Sequence, residues 1–138
     1  MACWLMKSEP GTYAWTDLER DGATEWDGVR NPAARLHLRA MQVGDRAFFY
    51  HSGEARAVVG IMRIARAAEP DRSDPAWVSV AVAPEKALAR PVTLKAIKAD
   101  PRLAAIELVR QSRLSVSPVR DEEWAAILDL AGQPEVRA

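Results

Sequence analysis

Trp26-Asp27-Gly28-Val29-Arg30-Asn31-Pro32 sets an aromatic ring, a turn dipeptide, a cation and a helix start within seven residues. Asp27-Gly28 is a tight-turn pair. Asn31-Pro32 reads as an N-cap followed by the first helical position, which puts Arg30 just before a helix N-terminus. On a short anchored loop, Trp26 offers a face for stacking a flat ligand. Arg30 and the free N–H groups of the helix start offer an anion site beside it. Taken singly, the same residues also read as a core tryptophan, an exposed charge and ordinary capping.

Covalent chemistry finds few candidates. His51 and Ser52 are adjacent, and neighbouring side chains on an extended chain point apart, so they do not form a general-base pair with each other. Cys3 lies in an apolar run, where burial raises a thiol pKa and leaves it inert. Glu9, beside Pro10-Gly11, could serve as a general base in a pocket and reads equally as a solvated turn residue. The soft or imidazole ligands are Cys3, His37 and His51, without metal-binding spacing, and there is no glycine-rich phosphate loop. No cofactor or metal is therefore expected. Binding has more to draw on. Lys7 and Ser8 follow the first apolar run, His51 and Ser52 end an aromatic one, and Ser115 lies in the last; converging strand ends would make a polar-edged pocket with an aromatic wall.

The elements that must position these groups follow from periodicity and punctuation. Alternation predicts strands over Ala2 to Met6, Arg46 to Tyr50, Ala57 to Ile64, Trp77 to Val82 and Arg113 to Val116, the last stopped by Ser117-Pro118. In the first strand Cys3 and Leu5 face one way, Trp4 and Met6 the other. A short helix fits Trp15 to Arg20 before Gly22, capped by Thr12 or Thr16, and a longer one fits Pro32 to Met41, with Ala34, Leu38 and Met41 on one stripe. Gly60 inside a strand signals a bulge or the close approach of something large. Between Lys86 and Ile106, Pro91 and Pro101 punctuate short patches that read as a crossover on a sheet edge. A terminal helix starts at the acidic run 121–123 and buries Trp124, Ile127, Leu128 and Ala131. Trp4 and Trp124 are assigned to the core. Strands with inserted helices point to a small mixed barrel, or alternatively an open sheet.

At 138 residues, 49% of them hydrophobic, the chain fits a single domain over residues 1–138. Lysine plus arginine and aspartate plus glutamate are both 19, which removes the global positive field of a non-specific nucleic-acid coat. The charge is uneven, however: residues 86–120 hold 8 basic side chains against 2 acidic ones, while residues 1–85 hold 10 against 12. The single cysteine excludes an internal disulfide and fits a reducing compartment, and no apolar run suggests a signal peptide or membrane span. A cytoplasmic location is the default expectation.

Read in order, Trp4-Leu5-Met6-Lys7-Ser8-Glu9-Pro10, Trp26-Asp27-Gly28-Val29-Arg30-Asn31, Gly44-Asp45, Phe48-Phe49-Tyr50-His51-Ser52, Val59-Gly60-Ile61 and Ser112-Arg113-Leu114-Ser115-Val116 resemble the EVE domain, a family that includes the thymocyte nuclear proteins. The resemblance spans almost the whole chain. It implies a mixed α/β, PUA-like fold: a small, strongly curved β-barrel flanked by short helices. It also implies non-catalytic binding of a modified nucleobase of DNA or tRNA, flipped into a concave pocket. Carried over residue by residue, it implies ligand contacts from Lys7, Ser8 and Glu9 after the first strand, and from Trp26, Val29, Arg30 and Asn31 in the central motif. His51 and Ser52 at the aromatic strand end, and Arg113, Leu114 and Ser115 in the late strand that closes the pocket, complete the set. Two alternatives stand beside this reading. One is a hydrolase or a nucleoside- or base-modifying enzyme using Glu9 or His51 in the same pocket; the other is a structural, homodimeric interaction module.

Overall fold

The computed structural model describes residues 2–132. Alternation at the start of the chain sets the layering. In β1 (Cys3–Ser8), Trp4 and Met6 enter one core cluster while Leu5 enters the other, so the strand is buried on both faces. Strand β3 (Arg46–His51) repeats the pattern, with Ala47 and Phe49 on one side and Phe48 and Tyr50 on the other. The two strands pair in parallel, Cys3 opposite Arg46 through Ser8 opposite His51. Parallel neighbours require a crossover. Here it consists of α1 (Trp15–Asp21), β2 (Thr24–Trp26) and α2 (Pro32–Ala40).

Long strands β4 (Ala57–Pro70) and β5 (Val78–Thr93) follow, then α3 (Leu94–Ala99), a 3₁₀ turn (Pro101–Leu103), α4 (Glu107–Arg110), β6 (Val116–Val119) and α5 (Asp121–Leu130). The sheet order is β2-β5-β4-β3-β1-β6. Its edges, β2 and β6, are not paired with each other. The expected barrel is therefore an open sheet, with the mixed α/β composition and flanking short helices as read from the sequence. Four register shifts between β4 and β5 and one between β3 and β4 bend it. One face is covered by α1 and α2 through Leu18, Ala34 and Leu38; the other is covered by α3 to α5 through Ile97, Leu108, Trp124 and Ile127. Trp124 stacks on Phe48 at 3.8 Å, and Trp4 donates from its indole nitrogen to the buried Asp45 at 3.1 Å. No helix among the described residues is long and apolar enough to cross a membrane.

Several boundaries differ from the sequence expectation for physical reasons. The stretch read as a crossover from Lys86 continues β5 to Thr93, because bulges admit Pro84 and Pro91 into a strand that still pairs with β4. The last strand starts at Val116 and includes Ser117-Pro118, since β6 is an edge and the missing N–H of proline costs no central ladder bond. Strand β2, only three residues long, had no periodicity to announce it. Helix α1 begins after Ala14, whose N–H is accepted by Asp17 at 2.8 Å, in place of a threonine cap.

Gly60 shows both of its expected features. A register shift falls between Val58 and Gly60, and a methyl group at residue 60 would stand 2.6 Å from the ring of Trp15. Contacts that short force the indole or the strand to move. Gly60→Ala is expected to destabilise the protein by about 1–3 kcal/mol, the usual cost of overpacking. Gly11→Ala, with nothing within 4 Å of its added carbon, should stay within about 0.5 kcal/mol of the parent. Urea unfolding midpoints measure both.

Candidate nucleic-acid interface

Where β1 ends, the chain folds back on itself through short hydrogen bonds. The Glu9 carbonyl accepts from the N–H groups of Thr12 and Tyr13 at 3.0 and 2.8 Å, and the Ser8 hydroxyl donates to the Tyr13 carbonyl at 2.6 Å. His51, at the end of the parallel partner strand, accepts from the N–H of Trp15 through Nε2 at 3.1 Å, and Ser52 N–H donates to the Ser8 carbonyl at 3.0 Å. This knot fixes the start of α1 against two strand ends. Beside it lies a cleft of about 510 Å³, lined by Lys7 and Ser8 from β1, Thr12 and Tyr13 from the turn, and residues 24–27 from β2 and its exit. Trp26 closes the floor. It is 8% exposed and packs nearly perpendicular to Phe49, 5.4 Å between centroids.

Lys7 stands between this cleft and a second one of about 540 Å³ that contains Tyr50, Ser52 and Arg56. Its ammonium donates to the Ser112 carbonyl at 2.8 Å and lies 5.9 Å from the Tyr50 ring centroid. Half-burial pushes its pKa below the ordinary lysine value. A third groove, about 360 Å³, gathers Asn31, Ala33 and residues 110–114. Ser112 is common to the second and third.

The twelve residues singled out from the sequence do not gather in one pocket. Lys7, Ser8 and Trp26 share the first cleft, Lys7 and Ser52 the second, and Asn31, Arg113 and Leu114 the third groove. Val29 is core, 7% exposed. Glu9 is exposed at the turn, and Ser115 offers its carbonyl to Lys7 N–H at 2.9 Å. His51 is committed to the Trp15 N–H, with its pKa lowered by burial. Arg30 faces elsewhere: it pairs with the buried Asp71 at 3.1 Å, donates to Ser73 Oγ at 2.8 Å and lies 5.8 Å from the Trp77 ring. Asn31 caps α2, accepting from Ala33 and Ala34. Thr12, Tyr13, Thr24, Glu25 and Asp27 were not anticipated in the cleft. The available signal was Thr24-Glu25-Trp26 leading into a turn, a strand end beside the central motif.

A family model described as the EVE domain matches residues 2–130. The chain belongs to the EVE domain family. A protein from Rhodopseudomonas palustris, solved by NMR, is 46% identical, superimposes with a TM-score of 0.93 and is matched over 99% of this chain and 97% of its own. Mouse thymocyte nuclear protein 1 is 33% identical over 92% of this chain and 72% of its own length. Human THYN1, solved in complex with DNA containing 5-methylcytosine, is 31% identical with a TM-score of 0.89, over 98% of this chain and 100% of that one. An ASCH domain from Zymomonas mobilis, 13% identical with a TM-score of 0.62, shares the fold alone.

Two expectations test how this EVE site is held. Ser73, through its hydroxyl and its N–H, and then Gly28 N–H and Arg30 hold the Asp71 carboxyl well below the usual carboxylate range. Asp71→Ala is expected to cost about 2–3 kcal/mol by urea unfolding, because it strips charge-assisted bonds from the 26–31 loop. Arg30→Ala, on the exposed side of the pair, should cost less than about 1 kcal/mol.

The second expectation concerns pH. Burial lowers the pKa of His51 below its ordinary 6.5, so the unfolded chain takes up the proton first. The stability contributed by neutral His51 is complete above the unfolded value and is lost as pH falls through the native one. His51→Gln should flatten the dependence of the unfolding midpoint on pH below about 6.5. The slope from His37, also lowered by burial, should persist in both proteins.

Proposed function

We propose that this EVE protein is a non-catalytic reader of nucleic acid, holding one modified nucleobase in the cleft floored by Trp26. The observation that carries the reading is the cleft itself. About 510 Å³ is of the size that small ligands occupy, and its lining combines an aromatic floor, a half-buried tyrosine and hydroxyl and carboxylate groups for a base edge. Human THYN1 in complex with DNA containing 5-methylcytosine supports the same partner class for this chain. Turning a base out of its stack costs a few kcal/mol, and stacking returns about 1–3 kcal/mol per base. Discrimination then rests on Ser8, Thr12, Thr24 and Asp27, since a wrong base edge leaves polar groups unpaired.

The absence of a catalytic role is supported by what the candidate catalysts do. His51 Nε2 already accepts a backbone hydrogen bond, burial pushes the Cys3 thiol up, and Glu9 is exposed outside the residues lining the cleft.

Titration against short DNA strands with and without 5-methylcytosine, and against a panel of other modified bases, tests the reading. The parent is expected to prefer at least one modified strand. Thr12→Trp, which places an indole at an exposed position of the cleft rim, should cut that preference about tenfold or more with little change in melting temperature. Equal affinity for every strand, untouched by Thr12→Trp, would overturn the reading. Recovered nucleosides should keep their mass after incubation with the protein.

A further inference from the structure

We propose that the second cleft and the cationic rim continuous with it carry the sugar–phosphate backbone on one side of the base held in the first cleft, making the ligand a strand. This rests on the base-reading function above.

Adjacency comes from shared walls. Lys7 lines both clefts, and Arg56, Leu94 and Lys98 are common to the second cleft and a shallower one of about 390 Å³ to which Lys95 also belongs. A path therefore leads from the base cleft over Lys7 onto Arg56 and α3.

Charge divides the path. The first cleft sets Lys7 against Glu25 and Asp27, a poor environment for a phosphate. The second sets Lys7, Arg56 and Lys98 against Glu54 alone, and the shallow one holds Arg56, Lys95 and Lys98 with no acidic lining residue. Pairing separates the surfaces on a different ground. Glu25 is occupied by Arg66 at 2.8 Å and Arg72 at 3.5 Å, whereas Lys95 and Lys98 are exposed and have no ion-pair partner among the described residues.

The backbone holds these cations in place. Thr93 Oγ1 accepts from Ala96 N–H at 3.1 Å and caps α3, which sets Lys95 and Lys98 three residues apart on one helix face. Arg56 has a φ of 40°, the one positive value among described non-glycine residues, and its carbonyl accepts from Leu94 N–H at 2.8 Å. Exposed cations that meet no protein anion, beside a cleft that suits a base, fit phosphates, which position a strand without reading it.

The test compares the parent with Lys95→Glu/Lys98→Glu, and with Arg63→Glu/Lys86→Glu as a control of equal charge change at exposed residues lining none of these clefts. The probes are a single-stranded DNA with one central 5-methylcytosine, its unmodified twin and free 5-methyl-2′-deoxycytidine, each titrated over a range of salt. The α3 variant is expected to bind both strands about tenfold or more weakly and to lose about 1.4 from the slope of log affinity against log salt, two single-strand phosphate contacts. Its affinity for the nucleoside and the modified-over-plain ratio should match the parent. An unchanged strand affinity and slope, or equal losses in the control, would overturn the backbone path while the parent's preference for the modified strand still upheld the base reading. If the parent binds both strands equally and the α3 variant alone loses slope, the base reading falls and the backbone surface stands. Melting curves of both variants confirm that they are folded.

Discussion

Phe49 is the point on which the cleft lined by Trp26 depends. It is fully buried in β3, and the rings of Trp15, Trp26 and His51 all meet it nearly perpendicular, at 5.6, 5.4 and 5.4 Å between centroids. Such edge-to-face contacts add about 0.5–1.5 kcal/mol each beyond the area they bury. They also join α1, β2 and β3, which supply the turn, the floor and the strand ends of the interface. Gly60 faces Phe49 across the ladder, and its missing side chain is the space into which Trp15 settles. A floor built this way is set before any ligand arrives, and little ordering is left to oppose binding.

Buried carboxylates perform for the loops what the aromatic cluster performs for the core. Asp45, 3% exposed, accepts from the Trp4 indole at 3.1 Å and from Gln42 N–H at 2.9 Å, fastening the turn before β3 to β1. Asp71, 2% exposed, accepts from Gly28, Arg30 and Ser73, fastening the loop after Trp26 to the start of the 71–77 segment. Both acids are engaged by these hydrogen bonds. Their effect is to hold the exits of β2 and α2 where the Trp26 end of the cleft can form.

Much of this was legible from residue pattern. The alternation of Trp4, Leu5 and Met6, the caps at Asn31 and Gly22, the stripe through Ala34 and Leu38, and the special status of Gly60 each have a local cause that a sequence displays. Arg30 illustrates what was not legible. Its local context, beside a helix start and near an aromatic, suits an anion site; its partner, Asp71, lies 41 residues away and is brought in by the pairing of β4 with β5. Likewise Thr24 and Glu25 acquire a cleft only because three residues of β2 pair with Thr24 opposite Val82 and Trp26 opposite Val80. Non-local pairing decided which polar residues share a surface. Sequence spacing could nominate them but could not sort them.

The charge distribution carries the last step. With 19 basic and 19 acidic residues the protein has no net charge to draw nucleic acid from a distance, which would bound any affinity for an ordinary strand. The surplus of cations in residues 86–120 is not spread evenly. Arg102 is paired with Asp100 and Asp129, Arg110 with Glu107 and Arg120 with the buried Glu123. Lys95 and Lys98 stand apart from these pairs on α3, Lys98 lining the second cleft with Lys7, and neither lines the cleft that holds Glu25 and Asp27. Separating the two surfaces has a physical consequence. If the proposed reading holds, a strand with an ordinary base gains only the screened attraction of a few cations, while a strand whose base fills the cleft adds stacking and edge hydrogen bonds that salt weakens far less. On the proposed reading, raising the salt concentration would remove the attraction common to all strands and leave the discriminating part, so that selectivity would be set by the cleft over Phe49.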